Sequence, residues 1–181
     1  HTHIPHEIPR ADIEKSDWTT YLKAEQRIFD ELKTEVSQKL DENAQIPSSR
    51  YFEGSPVYPG GFTQDWNRSY VLEPDLEPTG AVVLLHGLTD SPYSMRHLAN
   101  LYRERGFVAL VIRLPAHGTV PAALTEAVWE DWMAATRLAM REARKRVGRP
   151  KPLHLVGFSN GGALAMMHAL DAIDDQTLPQ A

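Results

Sequence analysis

The second half of the chain repeats one pattern, a short apolar run followed by a helix-forming segment, and this pattern limits the fold more than any other feature. The runs are AVVLL (residues 81–85), FVALVI (107–112) and LHLVG (153–157). Short, largely apolar runs are typical of strands buried on both faces of a parallel sheet. A further strand is predicted at residues 68–73 (RSYVLE). Because right-handed crossovers through helices connect such strands, the sequence predicts an α/β fold, a three-layer α/β/α sandwich with a mostly parallel sheet.

Helices are predicted between and after these apolar runs. The prediction rests on residues typical of helix boundaries and on apolar residues at helical spacing. The first begins at Ser91 and Pro92 and ends at Gly106, the second spans residues 129–147, and the third spans residues 160–173. Proline at the start of a helix and glycine after its end are typical of helix boundaries. Each of the three apolar runs is therefore followed by a predicted helix.

The first 46 residues are interpreted as an N-terminal extension, and residues 47–181 as the N-terminal part of the α/β domain. Residues 1–10 (HTHIPHEIPR) show no periodicity and are predicted to be an extended, loosely held lead-in. We do not favour a metal site in this His-containing tract. Apolar residues from Trp18 to Leu40 recur at helical spacing and predict an amphipathic helix. We expect this helix to pack on its own domain, with a dimer contact or a membrane surface as the alternatives.

Charge and composition exclude several classes of protein. The 19 basic and 24 acidic residues give a net charge of −5, which argues against nucleic acid as a partner. The absence of cysteine excludes disulfides and thiolate catalysis. No run approaches the roughly 18 apolar residues of a membrane span, so we expect a soluble chain in the cytoplasm or periplasm. The chain begins with His1, so an upstream anchor that brings it near a membrane stays open.

The third apolar run leads directly into Gly157-Phe158-Ser159-Asn160-Gly161, a G-x-S-x-G motif between a strand and a helix. Glycine on either side suits a tight turn in which backbone segments approach too closely for a Cβ atom. Such a turn holds the serine hydroxyl clear of the sheet, and the helix directs free N–H groups toward an anion formed beside it. We therefore predict that Ser159 is a nucleophile. The alternative is a glycine-rich turn with an inert serine.

A second segment, His86-Gly87-Leu88, follows the first apolar run and is expected at the same edge of the sheet. The backbone N–H groups of Leu88 and Asn160 are predicted to form an oxyanion hole. His86 and Gly87 are predicted to shape the site. His86 is interpreted as a scaffolding residue rather than a base, because it ends the first strand far before Ser159.

The segment RLPAHGT (residues 113–119) follows the second apolar run and is also expected at this edge. It either turns the chain or shapes the pocket, with His117 as its site-shaping residue. Gly157 and Gly161 are predicted to shape the site from the serine turn.

The segments AVVLLHGLTDSPYSM, VIRLPAHGT and LHLVGFSNGG resemble, in this order, the α/β-hydrolase superfamily. More narrowly they resemble bacterial enzymes of the serine aminopeptidase and lysophospholipase-like group, which includes monoacylglycerol lipases and small carboxylesterases. The resemblance covers about residues 68–173. It implies the α/β-hydrolase fold, Ser159 as nucleophile, and Leu88 and Asn160 as oxyanion donors. It also implies an Asp or Glu and then a His later in the chain, with no metal or organic cofactor. Relatives commonly have glycine where this chain has Ala116.

The acid and base that the resemblance implies are not expected in this chain. The histidine that follows Ser159 is His168, about 13 Å further along the same helix at 1.5 Å per residue. We therefore expect a fold truncated after the nucleophile helix, and a missing C-terminal segment of the same protein as its partner.

The predicted function is hydrolysis of a small-molecule carboxylic ester through an acyl-enzyme on Ser159, as in a carboxylesterase, lysophospholipase or monoacylglycerol lipase. A serine peptidase, a thioesterase and a non-catalytic binding module of the same fold stay open. Serine at this position disfavours a dehalogenase or epoxide hydrolase, whose nucleophile is a carboxylate. The lack of G-x-G-x-x-G after the first apolar run disfavours a dinucleotide site.

Overall fold

The computed structural model describes residues 3–181 and contains a four-stranded sheet. Its strands are β1 (Tyr70–Leu72), β2 (Gly80–Leu85), β3 (Phe107–Val111) and β4 (Leu153–Gly157). Their order across the sheet is β1-β3-β2-β4. β2 pairs in parallel with both β3 and β4, whereas β1 pairs antiparallel with β3. The prediction of a mostly parallel sheet is confirmed.

Helices cover both faces of this sheet. The α-helices are α1 (Arg10–Lys15), α2 (Trp18–Leu32), α3 (Arg96–Glu104), α4 (Trp129–Val147) and α5 (Asn160–Asp174). Shorter helical turns lie at Lys33–Ser37, Glu42–Ala44, Pro59–Gly61, Pro92–Met95 and Pro121–Thr125. α3 packs on one face, and α4 and α5 pack on the other. The three-layer α/β/α sandwich is therefore confirmed.

β2 lies at the centre of the core and is buried along its whole length. Alternate side chains of a strand point to opposite faces of the sheet. Ala81, Val83 and Leu85 accordingly join the cluster under α4 and α5, whereas Val82 and Leu84 join the cluster under α3. A strand covered on both faces has no polar side, which explains why its sequence is continuously apolar.

The N-terminal segment differs from its sequence-based prediction. His1 and Thr2 lie outside the described residues. The lead-in predicted for residues 1–10 is extended up to Pro9, but it is not loosely held, because Glu7 pairs with Arg113. α1 begins at its last residue, Arg10, and buries Ile13 completely. A helix of six residues is too short to show an apolar repeat in the sequence. α2 ends at Leu32 rather than Leu40, and a π-helical turn follows it.

The N-terminal helices share the core of the sheet. Ile13, Trp18 and Tyr21 belong to the same buried cluster as β2, β3 and α4. The expectation that the second helix packs on its own domain is confirmed, and the division at residue 46 stays a prediction. None of the helices in the described part of the chain combines the length and the apolar character needed to cross a membrane.

The predicted start of the helix after β2 needs a correction. This segment begins with the 3₁₀ turn Pro92–Met95 before α3, and the Ser91 side chain does not cap it. The Ser91 hydroxyl instead donates a hydrogen bond to Oδ1 of Asn67 at 2.8 Å. Ser91 therefore ties the loop after β2 to the segment that precedes β1.

Candidate active site

Ser159 lies in the turn between β4 and α5 with an unusual backbone conformation. Its φ is 52° and its ψ is −116°, and its side chain is exposed. A residue other than glycine rarely adopts a positive φ and keeps it only where the surrounding structure imposes it. The neighbouring backbone supplies that constraint. The N–H of Phe158 donates to the carbonyl of Leu85 at 3.0 Å, and the N–H of Gly161 donates to the carbonyl of Phe158 at 2.9 Å.

Two glycines allow α5 to begin directly against the strand ends. A Cβ atom on Gly157 would lie 2.0 Å from the carbonyl oxygen of Gly161. A Cβ atom on Gly161 would lie 2.3 Å from the carbonyl oxygen of Leu85. Both distances are far below van der Waals contact with backbone atoms that cannot rotate away. The sharp turn at Ser159 therefore requires glycine at both positions.

The loop after β2 leaves the sheet at the same edge as Ser159. Leu85 pairs with Gly157 in the register of β2 and β4, so His86 and Phe158 both follow the last paired residues. Asn160 is the first residue of α5, where a backbone N–H has no acceptor within the helix. Within residues 3–181, neither the N–H of Asn160 nor that of Leu88 donates to another protein group. Both N–H groups thus lack a protein acceptor in the described part of the chain.

His86 is buried beneath this edge and uses both of its ring nitrogens. Nδ1 donates to the carbonyl of Gly87 at 3.0 Å, and Nε2 accepts from the N–H of Leu114 at 3.1 Å. Burial, and after it the neighbouring ring of His117, lower the pKa of His86 from 6.5 to about 3. The imidazole is thus neutral at physiological pH. It joins the loop after β2 to the loop after β3.

The loop after β3 contains two left-handed residues. Ala116 has a φ of 69° and Gly118 a φ of 74°. A Cβ atom on Gly118 would lie 2.8 Å from the carbonyl oxygen of Asn67, so glycine is required there. The conformation of Ala116 is one that glycine adopts without strain. The resemblance implied glycine at this position, and the positive φ of Ala116 is the conformation that glycine favours.

His117 is the buried side chain of this loop. Its Nδ1 donates to the carbonyl of Pro115 at 3.0 Å, and its ring packs edge to face on His86 at 4.9 Å between centroids. Its Nε2 is buried and has no hydrogen-bond partner among the described residues. The pKa of His117 lies below its ordinary value, mainly because the ring is buried. His117 therefore supports the loop as a neutral ring.

A buried ion-pair network fixes the start of the same loop, and the sequence analysis missed it. Arg113 is completely buried, and its guanidinium pairs with Glu7 at 2.9 and 3.0 Å and with Glu25 at 3.4 Å. It also donates to the carbonyl of His117 at 3.0 Å. Burial alone would lower the pKa of Arg113, but Glu7 and the other acidic neighbours raise it above its ordinary value. Arg113 thus stays charged and holds the loop.

Ser69 completes this network from the residue before β1. Its hydroxyl donates to Glu25 at 2.7 Å, and it accepts from the N–H of Arg113 at 2.7 Å. An arginine that directly follows a buried strand was the sequence signal that could have revealed the network. Its partners could not be identified, because Glu7 and Glu25 lie on the distant N-terminal segment.

The histidine and two of the acids that follow Ser159 are bonded to other groups. His168 is buried in α5 and donates from Nε2 to the carbonyl of Pro179 at 2.9 Å. Asp171 pairs with Arg137 at 2.7 Å, and Asp175 accepts from Thr177. Among the described residues, no imidazole or carboxylate is hydrogen-bonded to the hydroxyl of Ser159. The side chains with metal-ligand spacing lie elsewhere, at His3, His6 and Glu31.

Comparisons with known proteins agree with this architecture. Residues 82–178, more than half of the chain, match the model of the alpha/beta hydrolase family. The chain is 33% identical over 89 residues to a thermostable monoacylglycerol lipase of Bacillus sp. (strain H-257), a match that covers 49% of this chain and 34% of that protein. The predicted resemblance to the α/β-hydrolase superfamily is confirmed, and so is the α/β-hydrolase fold.

Similarity to solved structures was also found. One comes from work on LipS and LipT, two metagenome-derived lipolytic enzymes, with 31% identity and a TM-score of 0.54 over 60% of this chain and 42% of that chain. The apo form of Thermogutta terrifontis esterase 2 matches at 25% identity with a TM-score of 0.47, over 62% of this chain and 47% of that chain. The chain thus spans about a third of the length of the curated relative and less than half of these structures.

Proposed function

The chain belongs to the alpha/beta hydrolase family, and we propose that it carries the nucleophile, Ser159, of an enzyme that hydrolyses carboxylic esters through an acyl-enzyme. The observation that carries the proposal is the left-handed backbone of an exposed serine between a strand and a helix. Strain of this kind is held at functional sites because it fixes the position of a reacting atom. The similarity to a monoacylglycerol lipase and to lipolytic enzymes supports an ester as the substrate.

The proposed reaction begins at the hydroxyl of Ser159. Its Oγ bonds to the carbonyl carbon of the ester as a general base takes its proton, and the carbonyl oxygen becomes an oxyanion. The base then returns the proton to the alkoxide, which leaves as the alcohol, and the acyl group stays on Oγ. Water, activated by the same base, attacks the acyl carbon and releases the carboxylic acid. Serine regains its proton.

The N–H groups of Leu88 and Asn160 are the donors that we assign to the oxyanion. Both are free of protein acceptors, and both follow strands that end side by side. The positive end of the α5 dipole lies at Asn160 and adds to their effect on a negative charge formed beside Ser159. In enzymes of this type, removing one oxyanion donor costs about 3 kcal/mol of transition-state stabilisation. We propose Gly157, Gly161, His86, Gly87 and His117 as the residues that hold this arrangement.

The general base and its acid partner are proposed to come from the same protein, as an Asp or Glu and then a His that follow Ser159 in the chain. Two of the described histidines, His86 and His168, are poor candidates for the base. His86 uses both nitrogens in hydrogen bonds, and His168 is bonded to the carbonyl of Pro179. Ser159 without its base would keep only the residual rate that binding and the oxyanion hole supply.

Hydrolysis of p-nitrophenyl esters of increasing acyl length by the full-length protein tests the proposal. Ser159→Ala should lower kcat/KM by at least about 1,000-fold, because the nucleophile is lost. Ser94→Ala is the matched control, since Ser94 is an exposed serine on the turn before α3 and should keep the rate of the original protein. Equal rates for Ser159→Ala and the original protein would refute a nucleophilic role, and equal rates that match that of buffer alone would favour a binding module.

The chain-length series and two further substrates define the class of ester. A preference for long acyl chains would favour a monoacylglycerol lipase or lysophospholipase, and a preference for acetate and butyrate would favour a carboxylesterase. Faster turnover of a thioester or of a peptide p-nitroanilide, lost in Ser159→Ala, would assign the same serine to a thioesterase or a peptidase.

A further inference from the structure

Three side chains with metal-ligand atoms meet where the N-terminal segment lies against α2. Nε2 of His3 and Nδ1 of His6 each lie 2.7 Å from the same oxygen, Oε1 of Glu31. The candidate ligand atoms all lie within 4.8 Å of one another. The other carboxylate oxygen, Oε2, accepts the backbone N–H of His6 at 3.1 Å. One glutamate therefore gathers two imidazoles and is itself held by the backbone.

Two imidazole nitrogens and one carboxylate oxygen form a ligand set that divalent transition metals prefer. Bonds of about 2.0–2.2 Å around a tetrahedral Zn²⁺ place ligand atoms roughly 3.3–3.5 Å apart. The observed 2.7 Å contacts would have to open by less than about 1 Å to admit the ion. Only side chains at the surface need to move, since His6 is exposed and His3 and Glu31 are partly exposed.

The charge of the cluster also suits a cation. Glu31 supplies a carboxyl oxygen, a ligand that carries negative charge when it binds a metal ion. Imidazole nitrogens of His3 and His6 supply the other two donors, and a water molecule can complete a tetrahedral shell.

We propose that His3, His6 and Glu31 bind a divalent transition metal ion such as Zn²⁺, and that the ion fastens the N-terminal segment to α2. The sequence alone could not show this site. His3 and His6 are three residues apart, but Glu31 lies 28 and 25 positions away from them. The fold supplies the third ligand by packing α2 beside the N-terminal segment.

The position of the site in the chain gives the ion a structural consequence. His6 is followed directly by Glu7, whose carboxylate pairs with Arg113 in the loop after β3. An ion on His6 therefore fixes the residue adjacent to this ion pair. Metal binding to the folded state alone also stabilises that state by mass action. At a Zn²⁺ concentration 100 times the Kd, the expected rise in Tm is roughly 5–10 °C.

Calorimetric titration of the chelator-treated full-length protein with ZnCl₂ tests the site. The original protein should bind one equivalent, and Glu31→Gln and His6→Ala should each weaken binding by at least about 10-fold. Glu31→Gln keeps a hydrogen-bond acceptor for the backbone N–H of His6, so the segment can stay folded. The matched control is His97→Ala, which removes an exposed histidine of α3 and should bind as the original protein does.

Titration with Co²⁺ gives a second readout that does not depend on stability or ester hydrolysis. The original protein and His97→Ala should develop the visible absorption of four-coordinate Co²⁺, and Glu31→Gln should not. Absence of saturable binding in the original protein would overturn the proposal. Equal Zn²⁺ affinity in the original protein, His6→Ala and Glu31→Gln would also overturn it, because the ion would then lie elsewhere.

Discussion

The carboxylate of Glu7 pairs with both terminal nitrogens of Arg113, at 2.9 and 3.0 Å, across a sequence separation of 106 residues. Arg113 has no exposed surface, and the same guanidinium donates to the carbonyl of His117. The N-terminal segment is therefore joined to the loop after β3, at the edge where Ser159 lies. The N-terminal segment thus contributes a buried ion pair to this loop. In this way it helps to hold the candidate site in place.

Loss of this ion pair should destabilise the chain. Glu7→Gln removes the negative charge beside a buried guanidinium, which Glu25 then balances alone. Breaking a buried pair typically costs 3–5 kcal/mol, and because the Glu7 side chain is 16% exposed we expect about 3 kcal/mol. Glu14→Gln changes an exposed glutamate on α1 and should stay within about 0.5 kcal/mol of the original protein. Urea unfolding measures both values, and equal stability of the two variants would argue against a structural role for the pair.

The close approach of Gly161 to β2 gives a second prediction. Gly161→Ala places a methyl group 2.3 Å from the carbonyl oxygen of Leu85, so the start of α5 must move away from the sheet. We expect a loss of about 3 kcal/mol in the free energy of unfolding, together with loss of ester hydrolysis. Gly162→Ala is the control, since its nearest contact is 3.3 Å and its helix gains a better helix former. Denaturant unfolding that ranks Gly162→Ala as the less stable variant would contradict this account of the turn.

The buried imidazoles predict how stability depends on pH. Burial lowers the pKa of His86 from 6.5 to about 3, so between these values the unfolded chain binds a proton that the folded chain does not. The stability that the neutral imidazole of His86 contributes is fully present above about pH 6.5. It is lost as the pH falls toward 3, by about 1.4 kcal/mol per pH unit. His117, whose pKa is also lowered by burial, acts in the same direction. Unfolding curves between pH 7 and pH 4 measure the slope.

Substitution of His86 shows how much of the pH dependence of stability comes from this residue. His86→Gln cannot be protonated in this range, so its stability should fall less steeply with decreasing pH than that of the original protein. His154→Gln changes a histidine at an exposed position of β4 and serves as the matched comparison. A His86→Gln protein with the original pH dependence would show that His86 is accessible to protons in the folded state.

The sheet was predictable because each strand carries its own local signal. β2, β3 and β4 begin and end within one residue of the apolar runs. Burial on both faces explains the apolar positions of β2 and β3, whereas β4 lies at the edge of the sheet and exposes His154. The turn at Ser159 was predictable for a similar reason, because two glycines are required within five residues. The position of the candidate nucleophile thus follows from local sequence.

The parts that escaped prediction depend on distant partners. The apolar stripe of α2 does include the buried Trp18 and Phe29, but Glu25 is buried on the same side and interrupts the pattern. The reason for that burial is Arg113, 88 positions later in the chain. The six-residue helix α1 shows no repeat, and only its packing on α4 explains why it forms. Ion pairs between remote segments leave no periodic pattern, so the support of the site required the structure.

Labelling with a fluorophosphonate probe tests the central claim most directly, because the probe forms a covalent bond with an activated serine. The full-length protein should be modified on the peptide that contains Ser159, as read by mass spectrometry, and Ser159→Ala should show no modification while Ser94→Ala is labelled normally. A folded protein that remains unlabelled, or one labelled equally after Ser159→Ala, would contradict the assignment of Ser159 as the nucleophile.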